Sequence, residues 1–241
     1  MTVEFILCEQ VPENPIVIEA FPSKGYVSSI AAFYLIREAG FRQIGSIKAT
    51  GLDNFVVVHE GELMRPIRIY AKDNILLVFS EIIIIPSLVS EFTEEFRKWL
   101  KDIQVKEVVL LASLLGMDSK EEHKILGIAT TDELRGRLSD IGVEELKEGV
   151  LTGLSSTLAL HCGEVGIPTT SFLVETPYVP DALAAADLLE VLSKMLDIEV
   201  NVDNLRSTGR QFEGKFKQIL KQIDKGQKDY EKLGSMEGMY R

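Results

Sequence analysis

The sequence predicts an α/β fold in which helices flank a central, largely parallel or mixed β-sheet. Three observations predict this fold. Short β-rich runs alternate with helical patterns along most of the 241 residues, as they do in sheets covered on both faces. Residues 105–111 are rich in valine and leucine, which is typical of a strand buried on both sides. Residues 181–196 have the apolar periodicity of a strong helix.

The first quarter of the chain predicts two strands and a helix. Val3–Leu7 and residues 16–21 are β-rich runs separated by a loop that contains two prolines. Apolar residues recur at helical spacing over residues 25–39, and Gly40 is expected to end that helix.

The middle of the chain predicts a β-meander followed by an amphipathic helix. The three consecutive strands of the meander are predicted at residues 55–58, 67–70 and 75–79. Residues 87–101 then form the amphipathic helix, for which Ser87 or Ser90 is the expected N-cap.

Two more strands and a capped helix are predicted in the second half. Ile125–Ala129 and residues 169–174 resemble the valine-rich and leucine-rich strand that precedes them. Asp181 begins the helix of residues 181–196, and alanines make its first turns slender.

The charge is unevenly spread along the chain. The net charge of −11 argues against a nucleic-acid-binding protein, which needs a basic face. From Leu205 onward, however, nine Lys+Arg residues outnumber five Asp+Glu residues. An acidic body therefore carries a mildly basic C-terminal arm. Such an arm either is drawn to an acidic partner or only solvates an exposed helix.

No stretch predicts a membrane span or a signal peptide. The most apolar run, residues 75–89, is interrupted by Glu81 and Pro86 and is too short to cross a bilayer. The two cysteines, Cys8 and Cys162, are too few for a disulfide framework and suit a reducing cytoplasm. Both are expected to be buried as small apolar residues. A cytoplasmic protein that binds no membrane is predicted.

The C-terminal region separates into an amphipathic helix and a tether. Its apolar residues follow an a/d seam with one gap, and they are Phe212, Phe216, Ile219, Ile223, Tyr230 and Leu233. Residues 234–238 have the small, polar composition of a flexible linker. We therefore expect an α/β domain over residues 1–204, an amphipathic helix over 205–233 and a flexible tail over 234–241.

The chain ends in Met239, Tyr240 and Arg241. An apolar side chain, a ring with a hydroxyl and a terminal carboxylate offer three contacts to a socket on another protein. At this chain's composition, an ending of the type apolar-Tyr-any arises by chance about once in a hundred sequences. The tail is therefore a candidate partner-binding site.

The sequence contains no recognisable catalytic constellation, and no metal or cofactor site is predicted. His161 and Cys162 lie in an apolar helical pattern, which favours a core or helix-face position over a metal pair or a thiolate dyad. The turn between Gly149 and Ser156 has the glycines and hydroxyls of an anion-binding loop. A tight turn in which Ser155 or Ser156 caps the next helix explains the same residues, and we favour it.

Several segments together resemble the proteasome assembly chaperone family, in particular its second-subunit branch and the archaeal members. The resemblance extends over residues 3–202. It is carried by FPSKGYVSS at 21–29, GVLTGL at 149–154, GIP at 166–168, LVETP at 173–177 and PDALAAA at 180–186.

This resemblance implies a nucleoside-phosphorylase-like sandwich that serves as a binding scaffold rather than an enzyme. Family members bind proteasome α subunits or the α ring, and some end in an apolar-Tyr-any tripeptide that inserts between neighbouring α subunits. Met239, Tyr240 and Arg241 match that tripeptide position by position. No segment resembles an ATP-binding motif, so the expected action is ATP-independent.

Three functional hypotheses follow from the sequence. The first is a proteasome assembly chaperone or activator that docks through several tails, which implies a homo-oligomer; we expect a tetramer. The second is a small-molecule enzyme of nucleoside or phosphate-ester type that uses the turn between Gly149 and Ser156. A chaperone whose tail is incidental is a third, simpler reading.

Overall fold

The structure is a computed structural model of the chain, and it describes residues 2–116, 123–176, 180–209, 213–214 and 221. The strands in chain order are β1 (Val3–Leu7), β2 (Ile16–Ala20), β3 (Arg42–Ala49), β4 (Val57–His59), β5 (Glu62–Met64), β6 (Ile67–Lys72), β7 (Ile75–Ser80), β8 (Glu107–Leu115), β9 (Ile125–Ala129), β10 (Glu144–Glu145) and β11 (Thr169–Thr176). The α-helices are α1 (Val27–Glu38), α2 (Pro86–Asp102), α3 (Asp132–Asp140), α4 (Leu154–Glu164) and α5 (Ala182–Leu196). Residues 203–209 are also helical.

A mixed sheet forms the middle layer of the fold, with the strand order β1-β3-β6-β7-β2-β8-β11-β9-β10. Its centre is parallel, because β2 pairs in parallel with both β7 and β8, and β8 pairs in parallel with β11. The β1–β3–β6–β7 side is antiparallel. The connection after β2 leads to the antiparallel side of the sheet, whereas the connection after β8 leads to the other side. Because the two connections run in opposite directions, the carboxyl ends of the neighbouring strands β2 and β8 form a topological switch point.

Helices cover both faces of this sheet. On one face α1, α3 and α5 pack over a core that includes Ile18, Phe79 and Phe172. On the other face α2 and α4 pack over Val17 and Val78. The central strands are therefore buried on both sides, which explains why their sequences are continuously apolar.

An aromatic cluster fixes α2 to the sheet. Phe92 and Phe96 are completely buried, with ring centroids 6.1 Å apart in an edge-to-face arrangement. Trp99 stacks on Phe5 of the edge strand β1, with centroids 4.4 Å apart and planes 6° apart. Burying each such side chain contributes about 1.5–3 kcal/mol to stability. The amphipathic stripe seen in the sequence is therefore the face of α2 that holds the antiparallel side of the sheet.

The predicted α/β fold with a mixed sheet and flanking helices is confirmed. Val3–Leu7 and Ile125–Ala129 are strands with the predicted bounds, and the helix over 181–196 begins after its N-cap Asp181. The strand expected at 55–58 is instead β4, which pairs with β5 in a small hairpin outside the main sheet. β3, which completes the antiparallel side, had no counterpart in the sequence prediction.

Two local predictions were wrong. Neither Ser87 nor Ser90 caps α2, because the helix begins at Pro86, whose fixed φ suits the first helical position, and no side chain caps it. Cys8 is exposed rather than buried, since it lies just beyond the edge strand β1, and its Sγ donates a hydrogen bond to the Ile44 carbonyl at 3.0 Å. Cys162 is buried as predicted.

None of the helices in the described part of the chain combines the length and the apolar character that crossing a membrane requires.

Candidate functional site

The predicted partner-binding residues Met239, Tyr240 and Arg241 lie outside the described residues. So does most of the predicted amphipathic helix over 205–233. The structure does describe the base of this arm, which is the helical segment 203–209 together with Glu213. It also describes a cavity at the same edge of the sheet. These two features make up the candidate site.

An ionic network attaches the base of the arm to α5. The Arg206 guanidinium contacts Asp187 Oδ1 at 2.6 Å and Glu190 Oε1 at 2.9 Å, and both carboxylates belong to α5. Asp187 also accepts a hydrogen bond from His123 Nδ1 at 2.8 Å. The second nitrogen of that ring, Nε2, lies 3.2 Å from Asp181 Oδ2. A continuous network of charged contacts therefore runs from Asp181 through His123 and Asp187 to Arg206. It connects the start of α5 and the segment before β9 with the arm.

Both ring nitrogens of His123 face carboxylates, which favours the imidazolium form. Hydrogen bonds to Asp181 and Asp187 raise its pKa from 6.5 to about 9, although burial acts in the opposite direction. Burial acts to raise the pKa of each aspartate, but the hydrogen bonds from His123 and other donors outweigh it, and both pKa values are lowered. The network is therefore fully charged near neutral pH.

The start of α5 joins the arm to the carboxyl edge of the sheet. Asp181 caps α5 by accepting from the Ala184 N–H at 2.9 Å, and its own N–H donates to the Gly25 carbonyl at 2.9 Å. The Ala182 N–H donates to Glu213 Oε1 at 3.1 Å. A carboxylate of the arm thus satisfies an N–H group at the positive end of the helix. Glu213 of the arm therefore contacts the body close to the loop that follows β2.

A cavity of about 570 Å³ opens at this edge, where the parallel strands β2, β8 and β11 end. Its walls are mostly apolar, and none of the described side chains that line it is charged. Among the described residues, six hydroxyl-bearing side chains line it, and they are Ser23, Tyr26, Ser113, Thr152, Ser155 and Ser156. The cavity lies at the switch point between β2 and β8, which is where ligands bind in open α/β sheets.

The predicted turn between Gly149 and Ser156 forms one wall of this cavity. Gly153 is the N-cap of α4 with a φ of 103°, a conformation that favours glycine. No side chain caps α4, so the prediction that Ser155 or Ser156 would do so was wrong. Elsewhere in the lining, Ser113 donates to Ser23 at 2.9 Å, and the carbonyl of the lining residue Phe21 accepts from Ser28 at 2.6 Å.

The predicted core or helix-face position of His161 and Cys162 agrees with the structure, which places both on α4, with Cys162 buried and His161 partly exposed. Burial raises the pKa of the Cys162 thiol to about 11, so the sulfur is not a thiolate at neutral pH. Within the described ranges, no group of three or more His, Cys, Asp and Glu side chains is arranged to hold a metal ion.

Neither the His123 network nor the buried carboxyl of Glu19 was predicted from the sequence. The members of the network are far apart in the chain, since Asp187 lies 64 positions after His123, so their spacing gave no signal. Glu19 lies in an otherwise apolar strand, and an acidic residue in such a run is the one signal that was available.

These features define a class of protein: a three-layer α/β scaffold with a C-terminal arm anchored at the carboxyl edge of its sheet. The sequence matches the PAC2 family over residues 17–220, and the chain belongs to that family. An uncharacterised protein of Methanocaldococcus jannaschii is 34% identical over 223 residues, which cover 90% of this chain and 92% of that protein.

Two solved structures from Pyrococcus furiosus are similar to this chain. PbaA, described as an archaeal homolog of proteasome-assembly chaperone, is 31% identical with a TM-score of 0.85, covering 94% of this chain and 100% of PbaA. PbaB, described as an archaeal proteasome activator, is 19% identical with a TM-score of 0.75, covering 92% of this chain and 98% of PbaB. The likeness to PbaA supports homology over the whole domain, whereas the likeness to PbaB shows the fold alone.

The His123 network generates a prediction about stability and pH. Because the folded pKa of about 9 exceeds the ordinary value of 6.5, the stabilisation is fully present below pH 6.5 and is lost as the pH rises through about 9. Urea unfolding across this range should show a falling free energy of unfolding in the native chain. The His123→Gln variant should be less stable below pH 6.5 and should lose less stability on the alkaline side. Parallel pH profiles for the two proteins would contradict the assignment.

The Arg206 contacts generate a second prediction. Replacing Arg206 by Ala should release the base of the arm and raise the rate of tryptic cleavage at Lys215, Lys217 and Lys221 about three- to tenfold, as expected for the loss of partly exposed ion pairs. Arg135→Ala is the matched control, because Arg135 forms an ion pair with Asp132 at the same 2.6 Å distance but on α3, outside the arm. Equal cleavage of the two variants would show that Arg206 does not anchor the arm.

Proposed function

We propose that this chain is a cytoplasmic, non-catalytic binding protein of the proteasome-assembly-chaperone type, which docks on the proteasome α ring without ATP. The observation that carries the proposal is the 31% identity to PbaA along nearly the whole chain. Membership of the PAC2 family supports it. In this proposal the α/β body serves as a scaffold, and the C-terminal tail is the element that docks on the α ring.

The three last residues suit a socket between two subunits. Met239 fills an apolar pocket, the ring of Tyr240 packs while its hydroxyl hydrogen-bonds, and the carboxylate of Arg241 meets a lysine or backbone N–H groups. One such tail binds in the micromolar-to-millimolar range, which corresponds to about 4–8 kcal/mol. A single tail is therefore a weak anchor.

Several tails on one particle strengthen such an anchor. The proposal therefore includes a homo-oligomer, with a tetramer as the expected state, in which each body presents one arm. If the tails match the spacing of the sockets, avidity exceeds the single-tail affinity by about 10²–10⁴. The contacts of Arg206 and Glu213 support this arrangement, because they hold the base of each arm in one place on its body.

The alternative function is a small-molecule enzyme of nucleoside or phosphate-ester type. The position of the turn between Gly149 and Ser156 on the wall of a 570 Å³ cavity favours it. Saturable turnover that Thr152→Ala abolishes would establish this alternative. A body that binds isolated α subunits equally well with and without its tail would instead indicate a chaperone whose tail is incidental.

Tail variants test the docking mechanism directly. Deletion of Met239, Tyr240 and Arg241, or Tyr240→Ala alone, should lower recovery of the protein with immobilised α rings and finished proteasomes by at least about tenfold, because one docking contact is lost from every arm. Stimulation of peptide hydrolysis should fall in parallel if the protein acts on finished particles.

Arg241→Ala is the matched control, since the last position of an apolar-Tyr-any tail accepts any residue. It should bind as the native chain does. Adding one glycine after Arg241 should mimic the deletion, because it moves the carboxylate away from Tyr240. Native binding by the deletion variant would remove the tail from the mechanism.

The charge of the arm predicts the response to salt. Residues from Leu205 onward carry an excess of four positive charges, so attraction to an acidic partner surface should weaken as ions screen it. Binding measured by interferometry between about 0.05 and 0.5 M NaCl should show a slower association rate as salt rises. An association rate independent of salt would show that the basic arm only solvates its own helix.

A further inference from the structure

The two edges of the main sheet differ in length and in charge. β10, at one edge, has two residues, and both are glutamates. β1, at the other edge, has five residues, VEFIL, of which only Glu4 is charged. Short and charged edge strands resist pairing with other chains, whereas longer apolar ones favour it. The β10 edge is therefore protected against strand pairing, and the β1 edge is not.

The hydrogen bonds at the two ends of the β1–β3 ladder show which way the backbone groups of β1 point. At one end the Thr50 N–H donates to the Thr2 carbonyl at 3.0 Å. At the other end the Cys8 N–H donates to the Ile44 carbonyl at 2.9 Å. Hydrogen-bonded pairs alternate with non-bonded pairs in an antiparallel ladder. The backbone groups of the even-numbered residues of β1 therefore point toward β3.

The odd-numbered residues of β1 direct their N–H and carbonyl groups away from the sheet. These residues are Val3, Phe5 and Leu7. Within the part of the chain that the structure describes, β1 pairs with β3 alone, so no strand takes up these groups. The side chains of Ile6 and Leu7 are also 36% and 38% exposed. An added strand would pair the backbone groups and cover both side chains.

The charges beside this edge cancel, although the body as a whole is acidic. Glu9, just after β1, forms an ion pair with Arg42 of β3, and Glu4 stands opposite Lys48 in the β1–β3 register. Once the nine basic and five acidic residues of the arm are set aside, 17 of the 26 basic and 32 of the 37 acidic residues belong to the body. Two copies of the chain therefore repel each other over much of their surface, but not at the β1 edge.

We propose that β1 pairs with β1 of a second copy of this chain, antiparallel across a twofold axis at Phe5, so that two nine-stranded sheets become one. In this register Phe5 faces its own counterpart and Val3 faces Leu7 of the second copy, so every outward N–H and carbonyl group of both strands is paired. An axis shifted by one residue leaves either Val3 or Leu7 without a partner inside β1.

The same register keeps like charges apart. It places Glu4 opposite Ile6 of the second copy, whereas an axis at Glu4 would set two carboxylates against each other. This surface is separate from the C-terminal tail, and its test needs no proteasome. The strand pairing and the proposed docking of the tail therefore succeed or fail independently.

Two substitutions at Ile6 test the pairing and its register. Ile6→Lys creates two opposite-charge pairs with Glu4 across the axis, whereas Ile6→Glu creates two like-charge pairs. Self-association of the full chain, measured by sedimentation velocity, should therefore have a dissociation constant at least about tenfold higher for Ile6→Glu than for Ile6→Lys. Leu63→Lys and Leu63→Glu are the matched controls for net charge, because Leu63 is exposed on the β4–β5 hairpin. Those two variants should associate equally.

One introduced thiol tests the register by cross-linking. The proposed pair sets Thr2 opposite Cys8 of the second copy, and both residues are exposed. Their Cα atoms lie about 4.5 Å apart in such a non-hydrogen-bonded pair, which a disulfide can span. Mild oxidation of Thr2→Cys should give at least about tenfold more covalent dimer than oxidation of the native chain or of Glu144→Cys at the β10 edge.

Three results would overturn the inference. The first is equal association of Ile6→Lys and Ile6→Glu, or a difference no larger than that between the two Leu63 variants. The second is cross-linking of Thr2→Cys that does not exceed the two controls. The third is a native chain that remains monomeric at roughly 100 µM, a concentration at which even a weak specific pair is populated.

Discussion

The position of the C-terminal arm depends on one imidazolium ring held between two carboxylates. His123 contacts Asp181 at the start of α5 and Asp187 one turn or more further along, and Asp187 in turn holds Arg206 of the arm. Removing the ring would leave two partly buried carboxylates without their shared cation, which is costly. The same residue, Asp181, also caps α5 and bonds the loop after β2 through its backbone. Asp181 therefore links the ionic network that holds the arm to the loop that lines the cavity.

Much of the fold was predictable from local patterns. The central strands are continuously apolar because helices cover both faces, and the amphipathic pattern of α2 reflects a single buried face. Asp181 was recognisable as an N-cap because it is a favoured cap residue that stands directly before the apolar helical pattern. In the structure its side chain accepts a hydrogen bond from the Ala184 N–H. Two of the stretches that carried the family resemblance, in the loop after β2 and at the start of α4, line the cavity at the carboxyl edge, whereas GIP at 166–168 precedes β11 at the opposite edge.

Other features depend on contacts between distant parts of the chain. β3 has exposed polar residues at Arg42 and Gln43, and its place is set by pairing with β1 and β6; a Cβ at Gly45 would lie 2.5 Å from the Ile6 carbonyl. Ser155 looked like a helix cap, but Gly153 at positive φ starts α4 instead. His123 stands beside charged residues in the sequence, and only the fold brings Asp181 and Asp187 to it. Tertiary contacts determine the positions and the partners of such residues, so no local sequence pattern predicts them.

The central claim is that the residue before the C-terminus meets a proteasome α subunit. Replacing Tyr240 by the photoreactive amino acid p-benzoylphenylalanine, and irradiating the protein with α rings and with a lysate of its source cells, tests this contact directly. The account predicts a covalent adduct with an α subunit, located by mass spectrometry in the pocket between neighbouring subunits. Adducts confined to another copy of this chain, or to a protein unrelated to the proteasome, would contradict it.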